Sequence, residues 1–141
     1  MDEKIQLWAG LCLLCIQHAD FHDIAIALSG APDPPVIQET NVLSAHNVLI
    51  NWNTTTGQIV SNFSVELSLD FVTWKKAVCN GSVLPGDCVV TQKEAVIIQL
   101  KPYTNYTFRV MARGLFETSN YSTESKMVLT NQAGVYNTGS S

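Results

Sequence analysis

Few residues in this chain of 141 are of types that do chemistry, and their spacing decides what they could do. His18 and His22 stand four apart, with Asp20 and Asp23 beside them, which is the spacing of metal ligands on one helix face. They fall where an apolar stretch ends, a place with no preformed scaffold, so no metal site is assigned. Cys12 and Cys15 have the C-x-x-C spacing of a redox or metal pair, but they lie inside that apolar stretch without a second pair of ligands. His46 is isolated and is expected to face solvent. No serine or cysteine can be placed with a histidine as nucleophile and base, and neither G-x-S-x-G nor a phosphate loop is present. The expectation is no catalytic residue, no metal and no cofactor.

Charge narrows the partners. The formal net charge is −4, and no basic stripe exists to follow a phosphate backbone, so nucleic acid is not expected as a ligand. Residues 5–16 (IQLWAGLCLLCI) form an apolar run interrupted by Gln6 and Gly10. A membrane-spanning helix needs about 20 apolar residues, so this run is too short to span and has the length of a signal-peptide core. Residues 1–31 are read as a leader, cleaved after Ala31 or earlier after Ala19. Asp2 and Glu3 against Lys4 are atypical of a signal peptide, and the alternative is a retained apolar segment or an N-terminus altered by splicing. No transmembrane segment follows, so the chain is expected to be released or to be a piece of something longer.

Removing the leader removes Cys12 and Cys15 and leaves Cys79 and Cys88 as an even pair, the arithmetic of a secreted domain with one bridge. Two free thiols are the alternative. Asn53, Asn62, Asn80, Asn105 and Asn120 each open an N-x-S/T triplet, five of the ten asparagines; as a set they favour glycosylation and the secretory route.

Positioning such features requires a scaffold, and after the leader the hydrophobic period is two. Ala31-Pro32-Asp33-Pro34-Pro35 is a stiff, extended lead-in. Strands are expected at 36–40; around Val48, Ile50 and Trp52; around Phe63, Val65 and Leu67; at 72–79 with Trp74; around Val96, Ile98 and Leu100; around Tyr106, Phe108, Val110 and Ala112; and at 126–130. Turn chemistry separates them, as at 54–57 and 80–87. Seven short strands of this kind make an all-β, two-sheet, immunoglobulin-like sandwich over 32–130, followed by a flexible tail at 131–141.

Leu100-x-Pro102-x-Thr104-x-Tyr106-x-Phe108-Arg109-Val110-x-Ala112 resembles the corner between strands E and F of fibronectin type III domains. Trp52 in Leu49-Ile50-Asn51-Trp52 resembles the tryptophan of that family's strand B, and Phe63-x-Val65-x-Leu67 followed by Trp74 resembles strands C and C′. The resemblance spans roughly 32–130. It implies a fibronectin type III sandwich, a core role for Trp52, and a hydrogen bond from Tyr106 back to the upstream backbone. Trp74, Cys79, a short turn and Cys88 further resemble the first extracellular domain of class II cytokine receptors, which implies a bridge from the end of C′ to the approach of E. The second domain of such receptors and the WSxWS motif of class I receptors are both missing.

The family implies binding of an extracellular protein or of neighbouring domains, through loops at one end of the sandwich: 54–61, 84–87 and 113–119. Phe116, with Arg113 and Leu115, is the expected apolar anchor, unless Phe116 folds back onto the sandwich. A structural spacer, or a truncated form without its own ligand, is the alternative function.

Overall fold

Val48, Ile50 and Trp52 occupy one face of a strand, and Phe63, Val65 and Leu67 one face of another. Strands with period two give each sheet one apolar face, and the hydrophobic effect closes two such faces on each other. The computed structural model describes residues 30–134. They form β1 (Val36–Val42), β2 (Val48–Asn53), β3 (Asn62–Ser68), β4 (Lys75–Lys76), β5 (Val78–Cys79), β6 (Cys88–Val90), β7 (Glu94–Ile98), β8 (Asn105–Arg113) and β9 (Val128–Leu129). One sheet has the order β1-β2-β7-β5 and the other β4-β3-β8-β9, with β6 also paired to β3. The sandwich expected from the pattern is therefore present. Residues 1–29 of the candidate leader, with Cys12, Cys15, His18 and His22, lie outside the described residues, as do residues 135–141 of the tail.

The strand count rises from seven to nine for local reasons. The expected strand at 72–79 is two: Lys75 and Lys76 pair with β3, Ala77 is buried between the sheets, and Val78 and Cys79 pair with β7. A single strand cannot pair in both sheets without a crossover residue, and a small one fits there. The segment 88–90 was not expected as a strand. It pairs with Phe63, Ser64 and Val65, on the same edge of β3 that β4 occupies further along. At the C-terminal end of the fold, 126–130 contributes only Val128 and Leu129 as strand.

The phase of β7 also differs from expectation. Ala95 and Ile97 face the core, not Val96 and Ile98. Val96-Ile97-Ile98 is apolar in both phases, so alternation alone has no preference. Register decides: Val48 pairs with Ile97 and Ile50 with Ala95, and cross-strand partners share a face. Gln99 then takes left-handed backbone (φ 63°), which shifts the phase so that Leu100 is buried after all.

Three contacts fasten the two sheets. Trp52 meets Phe63 edge-on across the core, at 5.4 Å between ring centres. Cys79 on β5 is joined to Cys88 on β6, so one covalent link crosses from sheet to sheet. Tyr106 is buried at the start of β8, and its hydroxyl accepts the Lys101 N–H at 2.9 Å, closing the turn between β7 and β8. Trp52 is 1 % exposed and sits at the centre of the core cluster. Trp52→Ala is expected to lower stability by about 3–5 kcal/mol, read by chemical denaturation. A smaller loss from Trp52→Phe should accompany it, because the indole N–H has no hydrogen-bond acceptor among the described residues and its removal costs no bond.

Candidate functional site

β8 and the backbone that returns from it build a rigid tip. Arg113 bridges to Thr118, the Gly114 N–H donates to the Glu117 carbonyl at 2.8 Å, and Ser61 from the 54–61 loop donates its N–H to the Arg113 carbonyl at 2.7 Å. Gly114 is closely packed there. A β-carbon on it would sit 3.2 Å from both the Glu117 carbonyl oxygen and the Pro32 ring. The turn so held presents Leu115 at 50 % exposure and Phe116 at 71 %, so Phe116 does not fold back onto the sandwich. Ile59 is exposed in the loop between β2 and β3 at the same end. Residues 84–87, expected to join this end, do not. Cys88 pairs with Val65 in the middle of β3 and Lys76 holds Asp87 at 2.8 Å, so that segment lies along the flank.

The flank segment forms one wall of a groove of about 380 Å³ on the outer face of β3 and β8. Two of its lining residues, Glu66 and Tyr121, are joined through Arg109. Its Nε and one terminal nitrogen donate to the same Glu66 oxygen at 3.2 and 3.0 Å. The guanidinium lies between two rings, 4.3 Å from the centre of Trp74 and 3.8 Å from that of Tyr121. Burial, and then the Glu66 carboxylate, push the Tyr121 phenol above its ordinary pKa. Arg113 and Met111 also line the groove. Trp74 is thus half-buried as a stacking partner, neither a core residue nor a free binding aromatic.

Tyr121 is placed by a grip that sequence reasoning missed. Ser119, Ser122 and Ser125 donate their N–H groups to the carbonyls of Ala112, Val110 and Phe108, each at 2.8 Å. Their hydroxyls accept the N–H groups of the same three residues at 2.9, 3.0 and 2.9 Å. The signal was in the sequence as Ser-x-x-Ser-x-x-Ser, a period of three that suits extended polyproline-type chain and not a strand.

The N-x-S/T triplets look different in this light. Asn53, Asn80, Asn105 and Asn120 are exposed and Asn62 is half-buried in the groove wall. Yet four of the five hydroxyls have partners within the fold: Thr55 donates to an Asp33 carboxylate oxygen at 2.8 Å at the surface, and three more are tied into the sandwich. Ser82 accepts the Val89 N–H at 2.9 Å, Thr107 donates to the Ser125 carbonyl at 2.8 Å, and Ser122 belongs to the grip. These triplets have a structural cause whether or not a glycan is attached. His46 is exposed as expected, although its ring Nδ1 lies 2.8 Å from the Leu100 carbonyl oxygen.

No family model matches the chain, and no curated protein matches it in sequence. Its backbone does have relatives of known structure. The fibronectin type III domain derived from human KIAA0970 protein superposes with a TM-score of 0.62 at 13 % identity, over 83 % of this chain and 87 % of that one. The FN1–FN3 domains of chicken CNTN1 give 0.60 at 24 % identity, over 72 % of this chain and 34 % of theirs. Domains A168–A170 from titin give 0.58 at 24 % identity, over 72 % and 33 %. The chain thus has the fibronectin type III fold, and it spans about a third of the length of the CNTN1 and titin structures. Among the described residues no helix is long and apolar enough to cross a membrane, and no cluster of metal-ligating side chains occurs.

Two outcomes follow from these contacts. Ser122→Ala strands the Val110 N–H inside the structure and is expected to cost about 1–3 kcal/mol, measured by denaturation and compared with Thr123→Ala, whose side chain is exposed. At the opposite end, Asp70 closes the turn after β3. It accepts the N–H groups of Thr73 and Val72 and the Ser68 hydroxyl, which hold its carboxyl down from 3.8 to about 2. A depressed carboxyl stabilises the fold above its unfolded pKa and loses that contribution as the pH falls through its folded pKa. The stability gap between the parent and Asp70→Ala is therefore expected to be full near neutrality and to close between pH 3.8 and about 2; acid titrations followed by circular dichroism check it.

Proposed function

We propose that the chain is an extracellular, non-catalytic recognition module that engages a protein partner with the tip after β8. The observation that carries the proposal is Phe116, a large apolar side chain held 71 % exposed on a turn fastened by backbone hydrogen bonds. A rigid aromatic with little freedom to lose is the kind of group that dominates a protein interface. Leu115 and Arg113 extend the contact, the first as apolar surface and the second as a cation beside it. The extracellular part rests on the Cys79–Cys88 link, the exposed asparagines of the N-x-S/T triplets and the leader-like 1–31. A finer version makes the module a cytokine-receptor-like binder. It rests on Trp74 and on a bridge that runs between β5 and β6, as in the first domain of class II cytokine receptors.

A spacer role is favoured by one observation of its own: the CNTN1 and titin structures contain several domains, and this chain matches about a third of each. The two readings differ at Phe116. The protein made in mammalian cells is expected in the medium, trimmed near Ala31, lighter after enzymatic deglycosylation and without free thiols, by intact mass. That product is then passed over purified extracellular proteins, helical cytokines included, by surface plasmon resonance. Under the recognition reading, Phe116→Ala weakens the bound partner by about tenfold or more with the melting temperature unchanged. A folded Phe116→Ala variant that binds as the parent does, or a parent that binds nothing in the panel, leaves the spacer reading standing. Retention of unglycosylated protein inside the cell removes the extracellular premise.

A further inference from the structure

The groove on the outer face of β3 and β8 holds two polar side chains that neither the tip nor the fold uses. Asn62 and Ser64 stand two apart on β3, so they leave the sheet on the same side, and both line the groove. They are the first and third residues of the triplet Asn62-Phe63-Ser64, whose middle residue is buried in the core. In the other four triplets the hydroxyl has a partner within the fold, which accounts for its presence. Ser64 is the exception. Among the described residues its hydroxyl makes no hydrogen bond, nor does the Asn62 carboxamide, and both stand in the wall of the groove.

The rest of the lining says what fits. Val83, Leu84 and Met111 supply apolar wall and Tyr121 an aromatic one, with Val83 57 % and Leu84 49 % exposed. The charged residues are Glu66 and Asp87 against Lys76 and Arg113, two acids and two bases, so the lining carries no net charge. Three of the four are engaged already, Lys76 with Asp87 and Glu66 with Arg109. Paired ions keep hydrogen-bonding atoms but give little field to draw a charged ligand. Apolar surface interleaved with neutralised polar groups suits a neutral ring with C–H faces and hydroxyl or amide edges, which is the chemistry of an N-acetylated sugar. Such a sugar needs no encounter from solution when it is bonded to the groove wall itself, since tethering replaces association.

We propose that Asn62 carries an N-linked glycan whose first sugar residues lie in this groove, against Val83, Leu84, Met111 and Tyr121. The proposal rests on the extracellular reading, because the sugar is attached on the secretory route. There the Asn62 amide nitrogen bonds to the anomeric carbon of a lipid-diphosphate-linked oligosaccharide. The bond from that carbon to the phosphate oxygen breaks, the lipid diphosphate leaves with the electron pair, and the amide gives up one proton. When β3 then pairs with β8, the attached sugar is carried onto the groove. Seated there, it covers the apolar surface of the β3–β8 face and leaves the Phe116 tip as the face open to a protein partner.

The test uses the protein made by mammalian cells. Glycopeptide mass spectrometry is expected to find a glycan on Asn62. Dilute hydrogen peroxide then reports cover at the groove, because methionine oxidises according to its exposure. Met111 lines the groove, and Met127, 37 % exposed and outside it, is the internal standard. Asn62→Gln and Ser64→Ala each remove this one glycan by a different residue. Both are expected to speed formation of Met111 sulfoxide about threefold or more, with the Met127 rate unchanged, whereas Asn53→Gln should leave both rates alone. A glycan on Asn62 with Met111 oxidising equally fast in parent and variants overturns the seating, since the sugar would then point into solvent. A bare Asn62 on a protein glycosylated at other triplets overturns the inference and leaves the extracellular reading standing. A protein retained in the cell without any glycan overturns both.

Discussion

The outer edge of β8 is closed by hydroxyls as much as by amides, and most of what is distinctive in this sandwich depends on that choice. A buried strand must find a partner for every N–H and C=O it carries. On one side β8 pairs with β3 in an ordinary antiparallel ladder. On the other, the chain returning from the tip does not run as a strand beside it until Val128. Ser119, Ser122 and Ser125 each supply two bonds instead, giving an N–H and accepting one at the hydroxyl. Three residues of returning chain thereby cover two residues of strand, and the extra residue is free to point outward.

That freedom is what puts Tyr121 on the outer face. Once there, it stacks on Arg109, which Trp74 covers from the other side and Glu66 neutralises. The four side chains come from β3, the turn before β4, β8 and the returning segment, so one partly buried cation ties the β3–β8 ladder to a turn and a returning segment that lie outside it. A lysine could not replace it, because only a planar guanidinium can face two rings and still donate two hydrogen bonds to one carboxylate. The same returning segment begins at the turn that carries Phe116, so the serine grip also makes the tip rigid. Below, the Cys79–Cys88 link keeps the flank segment against β3 and so preserves the groove beside Arg109.

The two ends of the sandwich are built on opposite principles. At the Phe116 end the exposed apolar groups sit on relaxed backbone, and a buried glycine allows Pro32 to pack closely. At the other end, Phe71 and Tyr103 stand exposed on left-handed backbone, in turns closed by hydrogen bonds from Val72 and Thr73 to Asp70 and from Tyr103 to the Asn131 carbonyl. Exposed large apolar side chains are ordinary when single.

Much of the fold was legible in the residues. Period-two alternation at Val48, Ile50, Trp52, Phe63, Val65, Leu67 and along β8 is a local property, and burial of one face follows from it directly. The corner at Tyr106 was legible through the resemblance of Leu100-x-Pro102-x-Thr104-x-Tyr106 to the corner of fibronectin type III domains, and the Tyr106 hydroxyl does accept the Lys101 N–H. Exposure of the Arg113-Gly114-Leu115-Phe116 turn could be foreseen as a loop, although whether Phe116 returned to the core could not, since that depends on Pro32 and Ser61 holding the turn away from it. The sequence by itself thus determined the fold class and which strands carry the core. Tertiary structure alone decided the phase of β7, the split of 75–79 between two sheets, the stack on Arg109 and the strain at Phe71 and Tyr103. Each of these is set by a partner distant in the chain. An all-apolar run has no preferred face until its neighbour in the sheet selects one, and a left-handed residue shows itself only when the turn around it is closed.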